Sequence, residues 1–538
     1  MSTRVLVVSL DGTTFDVLEP LARAGIMPTL GALLDEGAWG PLRSVVPPIT
    51  PTAWSSFLTG KEPGKHGVFD FRLYDPQRYR DTFITSRALR EPTLWELLNA
   101  AGHRTAVVGL PMMYPPDTAS GTIVTGFDTP STEVAFTHPP ELRERILARF
   151  PGYRFVSAPP ASDANVETDE GFAAFLGQVE ETVDQRAAIA LDILDGDAWD
   201  AFMVHFQDTD AMQHRVWRFI EQPERAPARW ARIRGVYERI DAHLAALRAR
   251  LAPGGLMVVL SDHGFGSLRG HVNPNVLLQK WGYLDWKGRR FGRLQRSIEK
   301  RLVKLGLRQK TPAKRGGPWV AEMRGRDFER VMPLVWSRTR AYVALGHMYG
   351  HLYVNLRGRE PQGIVSPGAE YERLLAELRE RLLAVRDPED GAQVLAEIAR
   401  GDALYPDDRL GRRPDLVLIP APQYAVSRQL TWKRWLSRYG LLSGTHRLDG
   451  VFVAAGGGIR AGRVETPMRI VDVAPTLLSR LDVAIPDDVD GRVLDAIFTT
   501  PPAARFVSAS SVARATTELS ADEEEVLADR LRALGYTE

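Results

Sequence analysis

The chain has 538 residues, of which 44% are hydrophobic and 25% charged, with a formal net charge of +1. That length calls for one large domain with insertions or for two to three domains, and the near-zero charge argues for neither a nucleic-acid nor a membrane partner. Cysteine is absent, which excludes disulfides, thiolate catalysis and cysteine-ligated zinc, so any transition metal must be held by histidines and carboxylates.

Residues 5–10, Val-Leu-Val-Val-Ser-Leu, follow the initial Met closely. The run is too short for a signal segment and predicts a first strand, so a cytoplasmic location is expected. No stretch approaches the roughly 20 apolar residues that span a bilayer. Further strands are predicted at 105–109, 201–206, 256–260, 416–419 and 451–454. Several are continuous apolar runs, as in strands buried on both faces of a largely parallel sheet. Helical patterns at 92–101, 171–194 and 229–250 lie between them, and this alternation predicts an α/β fold with helices on both faces. Ligands of such sheets gather at the carboxyl ends of the strands.

Residues 271–404 break the rhythm. Residues 280–315 hold thirteen Lys or Arg and two acids. Strand-like runs follow at 341–345 and 351–356, then a helix with Ser366 as N-cap and Pro367 at its first position. This region reads as an inserted cap subdomain. The catalytic core is then 1–270 and 405–500, and 501–538 is an appended tail with a helix at 521–534. The basic segment suits a lid over an anionic substrate, a membrane-surface contact or a solvated helix face.

Metal-ligand residue types stand at strand ends and turns. Asp11 ends the first strand. Thr50 lies in Pro-Pro-Ile-Thr-Pro-Thr-Ala-Trp. Asp210 and His214 follow the strand 201–206 and, spaced i and i+4, share one helix face; Asp208 cannot share that face with His214. Asp262 and His263 follow the strand 256–260, and His446 precedes the strand 451–454. Two divalent cations about 4 Å apart would neutralise a phosphoester and activate its attacking and leaving oxygens. Ligation would also stabilise the alkoxide of a threonine. His and Asp donors suit Zn²⁺, with Mn²⁺ as the rival.

In this order, the segments resemble the type I phosphodiesterase/nucleotide pyrophosphatase family of the alkaline phosphatase superfamily. The match includes Thr50 with Thr59-Gly60 nine residues on, the turn Pro63-Gly-Lys-His-Gly67, Asp262-His263-Gly264 and Gly444-Thr-His446. The resemblance implies an alkaline-phosphatase-like core and Thr50 as nucleophile. It also implies one metal on Asp11, Thr50, Asp262 and His263, and a second on Asp210, His214 and His446. The implied substrate is a small, nucleotide-like phosphodiester or pyrophosphate, cleaved through a phospho-threonine; no stable nucleic-acid partner is implied. The family's Asn after the His-Gly turn is missing, and Asp70 stands in that stretch.

Lys65 is a candidate contact to a leaving-group phosphate, Trp54 could stack on a base or pack the nucleophile helix, and His347 could touch substrate from a cap turn shared with His351. Two other readings stay open: a phosphomonoesterase or phosphomutase of the same superfamily, and a non-catalytic anion- or membrane-surface-binding protein.

Overall fold

The computed structural model describes residues 3–116, 121–157, 166–286, 330–331, 334–429, 434–438, 442–509, 519 and 521–534. Its largest sheet has ten strands. Across it lie Gly462–Arg463, Ala38–Arg43, Asp449–Gly456, Leu251–Leu260, Thr3–Leu10, Trp199–Phe206, Thr105–Val108, Thr122–Val124 and Thr137–His138, with Met468–Arg469 beside Ala38–Arg43. The middle strands, from Leu251–Leu260 to Thr122–Val124, pair in parallel. Asp449–Gly456 runs antiparallel to both of its neighbours. The α/β reading with a largely parallel sheet therefore describes the molecule.

Thr3–Leu10 shows why its sequence lacks polar alternation. Leu6, Val8 and Leu10 enter one hydrophobic core, and Val5 and Val7 enter another on the opposite face. The first core is closed by helices Phe15–Arg23, Pro28–Glu36, Asp169–Gly196 and Pro227–Arg248, the second by Thr50–Thr59, Leu94–Ala100 and Val473–Arg480. A strand covered by helices on both sides can be apolar throughout.

A second sheet of six strands forms the insertion. Its order is Leu395–Arg400, Leu416–Pro420, Ala341–Val354, Tyr424–Ser427, Gly270–Val272 and Leu436–Ser437. Helices Pro274–Trp281 and Ala369–Leu383 pack on it in a separate core. Three sequence expectations change here. The strand expected at 416–419 in the central sheet belongs to this second sheet, so the insertion reaches Ser437, well past 404. The two runs expected at 341–345 and 351–356 are one strand, so His347 and His351 lie on a strand and not in a turn. The helix expected from Pro367 starts at Ala369, with Gly368 before it. Residues 287–315 of the basic segment lie outside the described residues.

Insertion and core are joined by a two-stranded ribbon, Gly264–Ser267 against Gly444–Arg447, with Phe265 opposite His446. The chain enters the insertion by one strand and returns by the other.

The expected helix at 521–534 is present, yet it is no loose appendage. Leu527, Leu531 and Leu534 are buried in the first core. Arg530 donates to the carbonyls of Phe127, Thr129 and Pro130. Among the described residues, no single helix is long and apolar enough to cross a membrane.

Candidate metal centre

Three adjacent parallel strands, Leu251–Leu260, Thr3–Leu10 and Trp199–Phe206, end side by side. Asp262 and His263 follow the first and Asp11 the second. The third leads into helix Asp208–Glu221, which carries Asp210 and His214 on one face. His446 arrives on the ribbon. All six side chains are buried. They form two groups, Asp11 with Asp262 and His263, and Asp210 with His214 and His446; within each, the donor atoms lie within 4.8 Å of one another. Gly12 allows this crowding: its φ is +67°, and a Cβ there would lie 2.9 Å from Asp210 Oδ1 and 3.1 Å from His263.

Backbone carbonyls fix the histidine tautomers. Nδ1–H of His214 donates to Gly444 O at 3.0 Å, that of His446 to Pro48 O at 2.8 Å, and that of His263 to Gly264 O at 3.0 Å. A carbonyl only accepts, so each Nδ1 carries a proton and each Nε2 of a neutral ring is a lone-pair donor. The Nε2 atoms of His214 and His446 face each other at 3.1 Å. Asp210 Oδ1 lies 3.1 Å from His446 Nε2 and 3.5 Å from His214 Nε2. Lone pairs and a carboxylate converging on one point call for a cation between them. The other group repeats the pattern: His263 Nε2 is 3.4 Å from Asp11 Oδ1 and 3.5 Å from Asp262 Oδ2. Those three atoms are buried and make no hydrogen bond among the described residues. Converging buried donors of this kind fit two divalent metals.

Electrostatics agree. Burial, aided by the neighbouring carboxylates, pushes Asp11 up to about 6 and Asp262 well above the usual carboxylate range. Burial pulls His214 down to about 4 and His446 well below the ordinary imidazole value, which keeps both in the neutral, metal-ligating form. Burial disfavours a charged His263 too, but Asp262 and Asp11 outweigh it and raise that ring to about 10. The neighbouring carboxylates thus favour positive charge at this point.

Thr50 opens helix Thr50–Thr59, which Gly60 ends in the left-handed conformation at φ 67°. The Thr50 hydroxyl is buried and makes no hydrogen bond among the described residues. Two bonds bring it to the centre. Pro48 O, two residues before it, holds His446. Trp54, one turn after it on the same helix face, donates Nε1–H to Asp11 Oδ2 at 3.1 Å. Trp54 is therefore fully buried as a prop for Asp11, and it offers no face to a base or ring. His205, which the sequence reading passed over, is a second prop: Nε2 lies 3.3 Å from Asp11 Oδ2, with Ser9 Oγ 2.8 Å from Nδ1. A histidine inside an otherwise apolar strand was the available signal.

Asp208 accepts from Ser157 N and Thr182 Oγ1, away from the His214 face, in keeping with its rejection as a ligand. Lys65 does not reach out as a substrate contact. Its ammonium pairs with Asp490 Oδ1 at 2.6 Å and donates to Asp488 O at 2.7 Å. His347 stands in the wall of a cavity of about 110 Å³ that borders the centre at His214 and is also lined by Asp70, Arg72, Arg428 and Ala528. Ala528 comes from the C-terminal helix.

Comparison with known proteins follows the same line. No curated protein matches this sequence. Phosphonoacetate hydrolase from Sinorhizobium meliloti 1021, solved with phosphonoformate, is similar in structure, with TM-score 0.55, 17% identity, and coverage of 89% of this chain and 96% of that one. Human ectonucleotide pyrophosphatase/phosphodiesterase 5 gives TM-score 0.52 at 14% identity, covering 92% of this chain and 100% of that one. Residues 5–449 match the type I phosphodiesterase/nucleotide pyrophosphatase family along their length. The chain belongs to that family of phosphoester hydrolases, within the alkaline phosphatase superfamily.

Proposed function

We propose that the protein is a two-metal hydrolase of phosphodiester or pyrophosphate bonds in a small, nucleotide-like substrate, with Thr50 as nucleophile and a phospho-threonine intermediate. The observation that carries the reading is the convergence of three carbonyl-fixed imidazole Nε2 atoms and three buried carboxylates beside an orphaned threonine hydroxyl. Asp11, Asp262, His263 and Thr50 would hold one ion, and Asp210, His214 and His446 the other. Bound divalent ions would neutralise the phosphoryl oxygens and stabilise the alkoxide and the departing oxygen. The donor set suits Zn²⁺, with Mn²⁺ next.

Within the chain, the first step is attack of Thr50 Oγ1 on phosphorus, forming one P–O bond as the bond to the leaving group breaks. Water then cleaves the phospho-threonine and restores the hydroxyl. Thr50 is the first residue of its helix, so the positive end of the helix dipole favours both its alkoxide and the phosphate. Trp54 and His205 keep Asp11 oriented, as outer partners of metal ligands do. The murine ectonucleotide pyrophosphatase/phosphodiesterase 5 structure at TM-score 0.50 is of an inactive threonine-to-alanine variant holding AMP, which is in keeping with this reading.

Thr50→Ala should lower turnover on the order of 10³-fold or more while metal content measured by elemental analysis stays near wild type. Full activity of Thr50→Ala would sink the assignment. Bis(4-nitrophenyl) phosphate should be cleaved in preference to 4-nitrophenyl phosphate; the opposite preference would favour a phosphomonoesterase.

A further inference from the structure

Three of the six residues from Val46 to Pro51 are prolines. A proline supplies no N–H, so the approach to Thr50 cannot be fixed by a full ladder of backbone bonds. It is gripped instead by its carbonyls and side chains. On the side of the metal centre, His446 Nδ1–H holds Pro48 O at 2.8 Å. The other grips come from the insertion. The Tyr405 hydroxyl donates to Val46 O at 2.8 Å. Ile49, immediately before Thr50, is fully buried in a small cluster with Met348, Tyr349 and Ala425, all of the insertion. Val46 packs on that cluster and on a second one formed by Phe69, Tyr405 and Val417.

Tyr405 is itself a fixed donor. It is buried, its ring centroid lies 4.9 Å from that of Phe69, and its N–H donates to Gly401 O at 2.8 Å. The same segment of the insertion also reaches the chain that follows the nucleophile helix. Arg409 N–H donates to Gly64 O at 3.3 Å, and a Cβ on Gly64 would lie 2.8 Å from Asp407 O. The Arg409 guanidinium pairs with Glu91 at 2.7 Å and with Asp488 at 2.9 Å. Those two carboxylates also take the buried ammonium of Lys61, the residue after Gly60. Two cations and two carboxylates thus share one knot. Residues 405–409 therefore hold the chain both before and after helix Thr50–Thr59.

We infer that Tyr405 is a positioning residue for Thr50. Its hydroxyl fixes the Val46 carbonyl, and with it the path of the chain into the nucleophile, so the insertion aims Thr50 Oγ1 as well as walling the cavity. This rests on the hydrolase reading above, with Thr50 as nucleophile. Misplacing a reacting group by about 1 Å can cost on the order of 10²-fold in rate. Loss of this bond should therefore show in turnover and leave substrate binding alone.

The test compares the metal-loaded Tyr405→Phe protein with wild type and with Tyr353→Phe, on bis(4-nitrophenyl) phosphate. The Tyr353 hydroxyl also donates to a carbonyl, Arg412 O at 2.9 Å, but wholly within the insertion. It controls for the loss of a phenol–carbonyl bond as such. Tyr405→Phe should lower kcat about tenfold, with KM within about twofold of wild type and metal content unchanged. Tyr353→Phe should keep kcat within about twofold. Arg409→Gln, which loosens the second grip, should also lower kcat at near-constant KM, and it decides the matter should Tyr405→Phe fail to fold. Wild-type kcat in folded Tyr405→Phe, a change confined to KM, or an equal loss in Tyr353→Phe overturns the positioning role and leaves the hydrolase reading standing. Absence of ester turnover in the wild type, or full activity of Thr50→Ala, overturns both.

Discussion

Asp70 shows how burial alone can turn a carboxylate into something else. In the unfolded chain it should lose its proton near the usual 3.8; in the fold it keeps it up to about 7. A raised carboxyl contributes stability that is complete below about pH 4 and is lost as pH rises through about 7, because only the folded state still binds the proton in between. Asp70→Asn removes that loss. The Tm of Asp70→Asn relative to wild type should therefore climb across pH 4–7, driven by up to ~1.4 kcal/mol per pH unit, and level off above. A gap that stays flat would mean that Asp70 ionises normally. The six residues that the fold brings into two groups stand out in sequence because each is a metal-binding type placed at a strand end or a strand-entry turn, where an α/β sheet collects its ligands. The role of Trp54 could not be read there, and His205 showed only as a lone histidine in an apolar strand, because both act through a bond to Asp11 from 43 and 194 residues away. Local spacing carries no trace of such a bond.

At the level of elements, periodicity separated strands from helices well but did not say which sheet a strand joins. Residues 416–419 read like any other buried strand, and only pairing with Ala341–Val354 and Leu395–Arg400 places them in the insertion. The C-terminal helix Ala521–Leu534 was misjudged for a related reason. Its acidic first turn and small-residue approach look detached in sequence, whereas Leu531, 1% exposed, is packed into the core. Leu531→Ala should cost on the order of 2–4 kcal/mol of docking. Amide exchange across 521–534 should then speed up. Because Ala528 walls the cavity, KM should rise more than kcat changes. Unaltered exchange in this segment would show that the helix is held by Arg530 and its carbonyl partners alone.

For the whole molecule, the two donor groups tie together parts of the chain that lie far apart in sequence. Asp11 meets Asp262 and His263, and Asp210 and His214 meet His446. Ions bound there act on the folded state only, so saturation at about 100 times Kd should stabilise by roughly 2.7 kcal/mol. Chelation should lower Tm by a few degrees, and added Zn²⁺ should restore it; a Tm indifferent to chelator would argue against resident metals.

The ribbon Gly264–Ser267 with Gly444–Arg447 is both the stem of the insertion and a carrier of the chemistry. One strand begins directly after His263, and the other contains His446. A rearrangement of the cap that shifts either strand also shifts a candidate metal ligand at its end. Cap position and the position of two candidate ligands are thus linked through this ribbon. A graft that exchanges caps between relatives would have to splice above this ribbon, on the insertion side of Ser267 and Gly444, or it would re-cut the metal centre along with the specificity it set out to change.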